Sequence, residues 1–273
     1  MSSDKKVVFI TGANTGLGLE VVKALYKTTI PYEIIIGTRT ISKGDQAADL
    51  VKKEIPNSPS TLNVIQVDVS SDDSISKAVS TIQSKFGRLD ILVNNAGGNY
   101  EPESDAGRMT IREAFNTMWD VNVSGTHVLT HEAAPLLLKS SDPRLLFITS
   151  GTACITETED HETDVGKRIN ASPEAGWPKP QGPNPITGYR SSKVGLNMLM
   201  TQWARTLKND GVKVWAISPG FLATGLAGIG GEALKKMGAR DPSEGGNFIR
   251  DVIEGKHDHN TAKVIRANMI QAW

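Results

Sequence analysis

A short apolar run, Val7, Val8, Phe9 and Ile10, ends on Thr11 and enters a turn that reads Gly12, Ala13, Asn14, Thr15, Gly16, Leu17, Gly18. Leu17, Val21 and Leu25 then recur at helical spacing. A bare apolar run of this length fits a strand buried on both faces, as in a parallel sheet. Strand, glycine-rich turn and helix together form the context that a dinucleotide fingerprint requires. Glycines permit the tight turn and let the backbone approach a pyrophosphate at the helix N-terminus. The spacing is Gly-x-x-x-Gly-x-Gly, not the commoner Gly-x-Gly-x-x-Gly, and an ordinary glycine-rich turn is the plainer alternative.

The same alternation continues. Glu33, Ile34, Ile35, Ile36, Gly37 and Thr38 read as a second strand. An NAD-binding domain usually offers an acid near this point for the ribose 2′-hydroxyl. Here Arg39 follows Thr38 instead. A guanidinium suits a 2′-phosphate through charge-assisted bonds, which points to NADPH, with the hydroxyls of Thr38 and Thr40 as added donors. A solvated loop charge is the competing reading of Arg39, and Thr15 brings no second cation to the glycine turn. A helix is expected from an N-cap at Ser42, with Ala47, Leu50 and Val51 as its stripe and Pro56 and Pro59 beyond its end. Residues 62–67 form a third strand ending in Asp68 and Val69, and Ser71 opens a helix with Ile75, Val79 and Ile82 inward. Residues 89–93 form a fourth strand, ending in Asn94, Asn95, Ala96 and Gly97. Strands alternating with helices specify a doubly wound α/β sheet of Rossmann type, which binds ligands at the carboxyl ends of its strands. One domain spanning residues 1–273 is expected.

Composition excludes several classes. Lys plus Arg and Asp plus Glu are 30 each, so no net field draws in nucleic acid or an anionic membrane. The start at Met1, Ser2, Ser3 and Asp4 is polar, and no apolar run approaches the roughly 18 residues of a membrane span. A single cysteine, Cys154, allows no disulfide framework, and a reducing, cytoplasmic setting fits. His257 and His259 in a charged loop read as surface residues, and no metal is expected.

Tyr189 and Lys193 are four residues apart in a stretch with helical periodicity, so they share one helix face. An ammonium one turn from a phenol favours the phenolate and lowers a pKa that is ordinarily about 10. Such a pair is able to exchange a proton with a substrate oxygen. Taken alone, the spacing also fits an exposed helix turn.

Thr11 with the glycine pattern to Gly18, Asp68 with Val69, the run Asn94, Asn95, Ala96, Gly97, and Tyr189 with Lys193, in this order, resemble the short-chain dehydrogenase/reductase family. The resemblance covers nearly the whole chain. It implies a catalytic set of Asn122, Ser150, Tyr189 and Lys193. Asn122 would kink the helical stretch 110–139 and hold a water of a proton relay. Ser150, ending a fifth strand over residues 145–150, would polarise a substrate carbonyl as an oxyanion donor does. Tyr189 would protonate its oxygen, and Lys193 would lower the Tyr pKa and hold the nicotinamide ribose. The resemblance further implies cofactor contacts from Gly12, Asn14, Thr15, Gly16, Leu17, Gly18, Arg39, Asp68, Val69, Asn95, Ala96, Gly97, Tyr189 and Lys193. The turn after a sixth strand (residues 212–217) would add Pro219, Gly220, Leu222 and Thr224. His127 and Cys154 are assigned to packing or surface.

Ser150 and Tyr189 are 39 residues apart, more than most of the family shows. The inserted segment, residues 155–185, begins acidic and ends rich in Pro and Gly, and it is expected to cover the substrate pocket. The monomeric carbonyl reductases resemble this chain in that insertion, in Gly176, Trp177 and Pro178, and in a Trp near a Gln at Trp273 and Gln271. That branch implies a monomer, with a homodimer left open. Residues 227–246 are glycine-rich and are expected to be a mobile second wall of the pocket. A helix over residues 242–253 and an edge strand over 263–267 complete the expectation. The activity implied is NADPH-dependent reduction of a ketone or aldehyde, an apolar or aromatic one if Trp177 and Phe221 line the pocket. Alcohol oxidation with NADP or NAD by the same groups is the near alternative, and a nucleotide-sensing regulator without catalysis the distant one.

Overall fold

The apolar runs rich in Ile and Val become the strands of one sheet, and the segments with helical periodicity become the layers on its two faces. The structure is a computed structural model that describes residues 5–179, 186–228 and 230–273. The polar start (Met1, Ser2, Ser3, Asp4) and Pro180, Gly182, Pro183 and Pro185 of the inserted segment lie outside the described residues.

β1 (Lys6–Thr11) leads into α1 (Gly16–Tyr26), then β2 (Tyr32–Thr38), α2 (Ile41–Glu54), β3 (Thr61–Gln66), α3 (Asp72–Phe86) and β4 (Ile91–Asn94). α4 (Glu101–Asp105), α5 (Ile111–Trp119), α6 (Gly125–Leu137), β5 (Arg144–Ile148) and α7 (Asp164–Ile169) follow. The chain continues through α8 (Thr187–Thr206), β6 (Lys213–Ile217), α9 (Gly231–Lys236), α10 (Pro242–Ile253), β7 (Val264–Arg266) and β8 (Met269–Ile270). The strand order is β3-β2-β1-β4-β5-β6-β7-β8, parallel throughout except for β8 against β7. Alternate residues of one strand serve opposite cores. Phe9 of β1 packs with Ile75, Ile82, Leu129 and Leu196 from α3, α6 and α8. Its neighbours Val8 and Ile10 pack with Val21, Leu25, Val51 and Ile249 from α1, α2 and α10. The chain reverses direction across the sheet between β1 and β4, and the crevice outside their carboxyl ends is where such sheets take ligands.

Several expectations need correction. α2 is capped by Thr40, whose backbone is still extended, so Ser42 lies inside the helix. Leu50 faces solvent and is 43% exposed, while Ala47 and Val51 are buried. The stretch 110–139 is two α-helices joined by a π-helical turn, Asp120–Ser124, with Asn122 at its centre. Within the glycine-rich residues 227–246 a further short helix, α9, forms and buries Leu234. β7 is not the sheet edge, since Ile265 and Arg266 pair with Ile270 and Met269 of β8. The Ser71 cap is as read: its side chain accepts from Ser74 N–H, and Gly87 closes α3 in the left-handed region. Among the described residues no helix is long and apolar enough to cross a membrane.

Candidate active site

The glycine turn lies against the end of β4. A Cβ on Gly18 would stand 2.6 Å from both Asn95 Nδ2 and Gly12 O, so only glycine lets α1 start this close to the sheet. Gly12 and Gly16 have φ of 62° and 56°, the left-handed region that glycine adopts freely. Asn95 donates to Thr11 O at 2.8 Å and to Gly12 O at 3.2 Å. Thr11 Oγ1 accepts from the N–H groups of Asn95 and Ala96. Thr11, not among the expected site residues, thus joins the ends of β1 and β4. Its place as the last residue of a buried strand was the available signal.

The other expected cofactor residues gather around this turn. Thr224 lies nearest to where a Cβ of Gly16 would be, and Leu17, Pro219 and Leu222 meet around Gly245. Gly220 has a φ of 97°, and Arg240 donates to Pro219 O. Val69 is buried, and Asp68 Oδ1 accepts from the N–H and hydroxyl of Ser70. Asn14 and Lys43 line a cavity of about 300 Å³ with Leu19, Gln46, Ala47 and Leu50. Arg39 is exposed at the end of β2, while Thr15 is an exposed N-cap with no side-chain capping bond. Thr38 does not offer its hydroxyl outward: it is buried and exchanges bonds with the Thr40 backbone.

Asn122, Ser150, Tyr189 and Lys193 come together beside the turn. A Cβ on Gly97 would be 2.8 Å from Asn122 Oδ1 and 3.3 Å from Lys193 Nζ. The π-turn leaves Asn122 fully buried, donating to Gly98 O and Ser192 Oγ and accepting from Gly98 N–H. Ser192 donates onward to Tyr189 O at 2.8 Å. Asn122 therefore fixes the β4 loop against the first turns of α8, and Ser192 is a site residue that its place inside the Tyr-x-x-x-Lys stretch did not reveal. Ser150 Oγ accepts from Thr152 N–H at 3.2 Å and lies 2.9 Å from Thr152 Oγ1. Lys193 is 4% exposed, donates to Ile148 O at 2.8 Å, and stands 5.8 Å from the centre of the Tyr189 ring.

The electrostatics reverse one expectation. Burial pushes the Tyr189 phenol up to about 12, and a hydrogen bond with Ser150 acts in the opposite direction. Lys193 Nζ is directed at Ile148 O and is itself desolvated. Burial brings Lys193 down to about 8. Glu101 also reaches the site. Its carboxylate accepts from Gly188 N–H at 2.8 Å in the first turn of α8, and burial raises its pKa while N–H donors of Gly188, Tyr189 and Thr187 pull it down. A carboxylate at a helix N-terminus is favoured by the dipole, but Glu101 lies 87 residues from its partner and no local pattern marks it.

The described part of the insertion packs beside α8. Arg190, next to Tyr189, donates to Ile169 O and Asn170 Oδ1 of the insertion. Arg168 of α7 donates to Met237 O and stacks over Phe221 at 5.5 Å, tying the insertion to the segment after β6. Cys154 is buried beside Trp273 O, and exposed His127 packs on Trp203.

The sequence matches the family described as short chain dehydrogenase over residues 6–159 and 161–232. The chain belongs to that family. It is an oxidoreductase fold by descent as well as by topology. The short-chain dehydrogenase/reductase eupG of Phoma sp is 47% identical, covering 98% of each chain. The short-chain dehydrogenase/reductase tropE of Talaromyces stipitatus is 42% identical, covering 96% of each. Among solved structures, the NADPH-bound carbonyl reductase from chicken fatty liver superposes with a TM-score of 0.77 at 21% identity, over 98% of this chain and 99% of that one. The actinorhodin polyketide ketoreductase with NADPH gives 0.73 at 20% identity, over 97% of each.

Proposed function

We propose that this short-chain family member reduces a ketone or aldehyde to an alcohol with NADPH. The observation that carries the reading is the meeting of the Ser150 hydroxyl, the Tyr189 phenol and the Lys193 amine beside the glycine turn. Gly12, Gly16 and Gly18 form a cradle that side chains would fill, which fits a pyrophosphate against the start of α1. The exposed Arg39 and the Lys43 beside Asn14 favour a cofactor with a 2′-phosphate, and both solved neighbours hold NADPH. Bound NADPH would supply the hydride.

The chain's own groups would do the rest. Ser150, which accepts from Thr152 N–H, would donate its hydroxyl to the carbonyl oxygen. Tyr189 would deliver the proton. Its raised pKa keeps the phenol protonated at neutral pH, the form that reduction consumes. Lys193, with a pKa of about 8, would hold the nicotinamide ribose and return a proton to Tyr189. Both Asn122 Nδ2 hydrogens are used, so a relay water would bond to its remaining Oδ1 lone pair or its backbone carbonyl. The remaining expected contacts, from Asp68 to Thr224, are assigned to the cofactor on the same reading. The insertion and the segment around Phe221 would form the pocket walls; Trp177 is 88% exposed, so a preference for an apolar or aromatic carbonyl compound rests on Phe221 without it. A monomer accords with the insertion lying on α8, with a homodimer as the other outcome of sedimentation.

A carbonyl panel followed by NADPH consumption tests the reading. Tyr189→Phe is expected to lower kcat by about 10³-fold with NADPH affinity unchanged. Unchanged turnover would sink the assignment. Arg39→Asp is expected to shift preference toward NAD by about tenfold or more through loss of a charge-assisted contact. A wild type that already prefers NAD would refute the cofactor assignment.

A further inference from the structure

The segment 150–153 leaves the sheet after Ile148 and turns once, so its carbonyls lose the strand ladder, although Ser150 O still accepts from Ala153 N–H at 3.1 Å. Each of the four is held by a side chain from elsewhere. Gln271 Nε2 donates to Ser150 O at 3.3 Å, and Arg266 Nη2 donates to Gly151 O at 3.3 Å. Arg190 Nε donates to Thr152 O at 2.8 Å, and Asn197 Nδ2 donates to Ala153 O at 3.2 Å. Two of these donors ride on α8 with Tyr189 and Lys193. The other two come from the β7–β8 hairpin, beyond residue 232 where the family match stops.

We infer that Arg266 and Gln271 are positioning residues that set the Ser150 hydroxyl relative to Tyr189. The two are joined to each other, Arg266 Nε donating to Gln271 Oε1 at 2.9 Å, and Gln271 is 2% exposed. Arg266 is held in turn by an ion pair with Glu157 at 2.6 Å. Trp273 O accepts from Thr156 N–H and Thr156 Oγ1, both at 2.7 Å, which fastens the same hairpin to the entry of the insertion. The Ser150 turn is thus gripped from two sides, by the helix that carries the proton-transfer pair and by the hairpin. Losing the hairpin grip leaves Lys193 and the glycine turn with all their own contacts and touches Tyr189 only through its hydrogen bond with Ser150. The deficit falls on the orientation of one hydroxyl. This inference rests on the role proposed for Ser150.

A double-mutant cycle on the full chain tests it. Gln271→Ala and Arg266→Met are made in the wild type and in a Ser150→Ala background. Each alone is expected to lower kcat about tenfold, the equivalent of one lost hydrogen bond, with the KM for NADPH within about twofold. Added to Ser150→Ala, each is expected to cost less than about twofold more. Additive losses would overturn the inference, because the hairpin would then act somewhere other than Ser150. Arg266→Lys, which retains a charge for Glu157 but not the fork to Gln271, is expected to restore part of the loss. Amide hydrogen exchange with NADPH present gives a reading independent of turnover. Residues 150–158 are expected to lose protection in both variants while residues 12–18 keep it, and unchanged exchange at 150–158 would overturn the inference whatever the kinetics. A wild type that reduces no carbonyl defeats the proposed activity alone, and the exchange still decides the grip. If Arg266→Met does not fold, Gln271→Ala, which leaves the Arg266–Glu157 pair in place, carries both measurements.

Discussion

At the amino ends of the strands, Arg144 bonds to Asp142 and Asp258, and Lys213 bonds to the same two carboxylates. Lys6 adds a third cation to Asp142, and Arg88 pairs with Asp90 beside β4. At the carboxyl ends of the same sheet, Lys193 meets a backbone carbonyl where the cations below meet carboxylates. Desolvation acts on both sets. At the amino end it is offset by opposite charges, and Asp142 stays at about 2. At the carboxyl end it is opposed by weaker partners, and Lys193 falls to about 8 while Tyr189 rises to about 12. One end of the sheet is arranged for stability, and the other holds both groups toward their neutral forms, with Lys193 brought close to neutral pH.

Removing the lysine gives the sharpest test of that contrast. Lys193→Met is expected to lower turnover by about 10³-fold or more and yet to stabilise the fold at neutral pH. The sign follows from the pKa. The folded value of about 8 lies below the 10.5 of an ordinary lysine, so the folded chain binds fewer protons between the two. Stability rises with pH across that window, and below it the buried ammonium is a standing cost of about 3 kcal/mol. Methionine removes that cost together with the Ile148 bond, a net gain of about 1–3 kcal/mol in urea melts at pH 7 that shrinks as pH rises from about 8 toward 10.5. A loss of stability at pH 7 would break the comparison.

A comparable but opposite effect is expected at the glycine turn. Gly18→Ala places a Cβ 2.6 Å from Asn95 Nδ2 and Gly12 O. Overpacking of that kind costs about 1–3 kcal/mol, to be read as a lower Tm with weakened NADPH binding. The smallest change belongs to the amino end. Asp142→Asn is expected to cost about 1 kcal/mol, discounted because the carboxylate is part-exposed. That contribution is present above an unfolded value of 3.8 and is lost as pH falls through about 2. The loss should shrink in high salt, and turnover should stay unchanged; a turnover defect would show that the two ends are coupled.

What the sequence disclosed divides along the same line. Strand runs such as Ile34, Ile35, Ile36 and the Gly12 to Gly18 turn are local signals, because burial on both faces and a left-handed backbone each restrict residue type directly. The order of four motifs then placed Asn122, Ser150, Tyr189 and Lys193 in one family, and the structure brings all four together. Long-range polar pairing was not legible. Glu101 against Gly188, Asn197 against Ala153 O and Gln271 against Ser150 O join residues dozens of positions apart with no spacing rule. The phenol's direction of shift was misjudged for a related reason. Four-residue spacing reports that two side chains share a helix face, but burial and the carbonyl that captures Lys193 come from β5. Ser42 against Thr40 as the α2 cap shows a smaller failure, since either residue type suits the position and backbone geometry decides.

The contact of Arg168 with Met237 O and the Phe221 ring has a consequence for building new specificities from relatives. The insertion and the segment after β6 are distant in sequence but share this fastening. A chimaera that exchanges the insertion alone arrives with a guanidinium cut for someone else's ring, or with none. The two stretches have to be transplanted as a matched set, and a library that varies position 168 together with positions 221 and 237 samples that set directly.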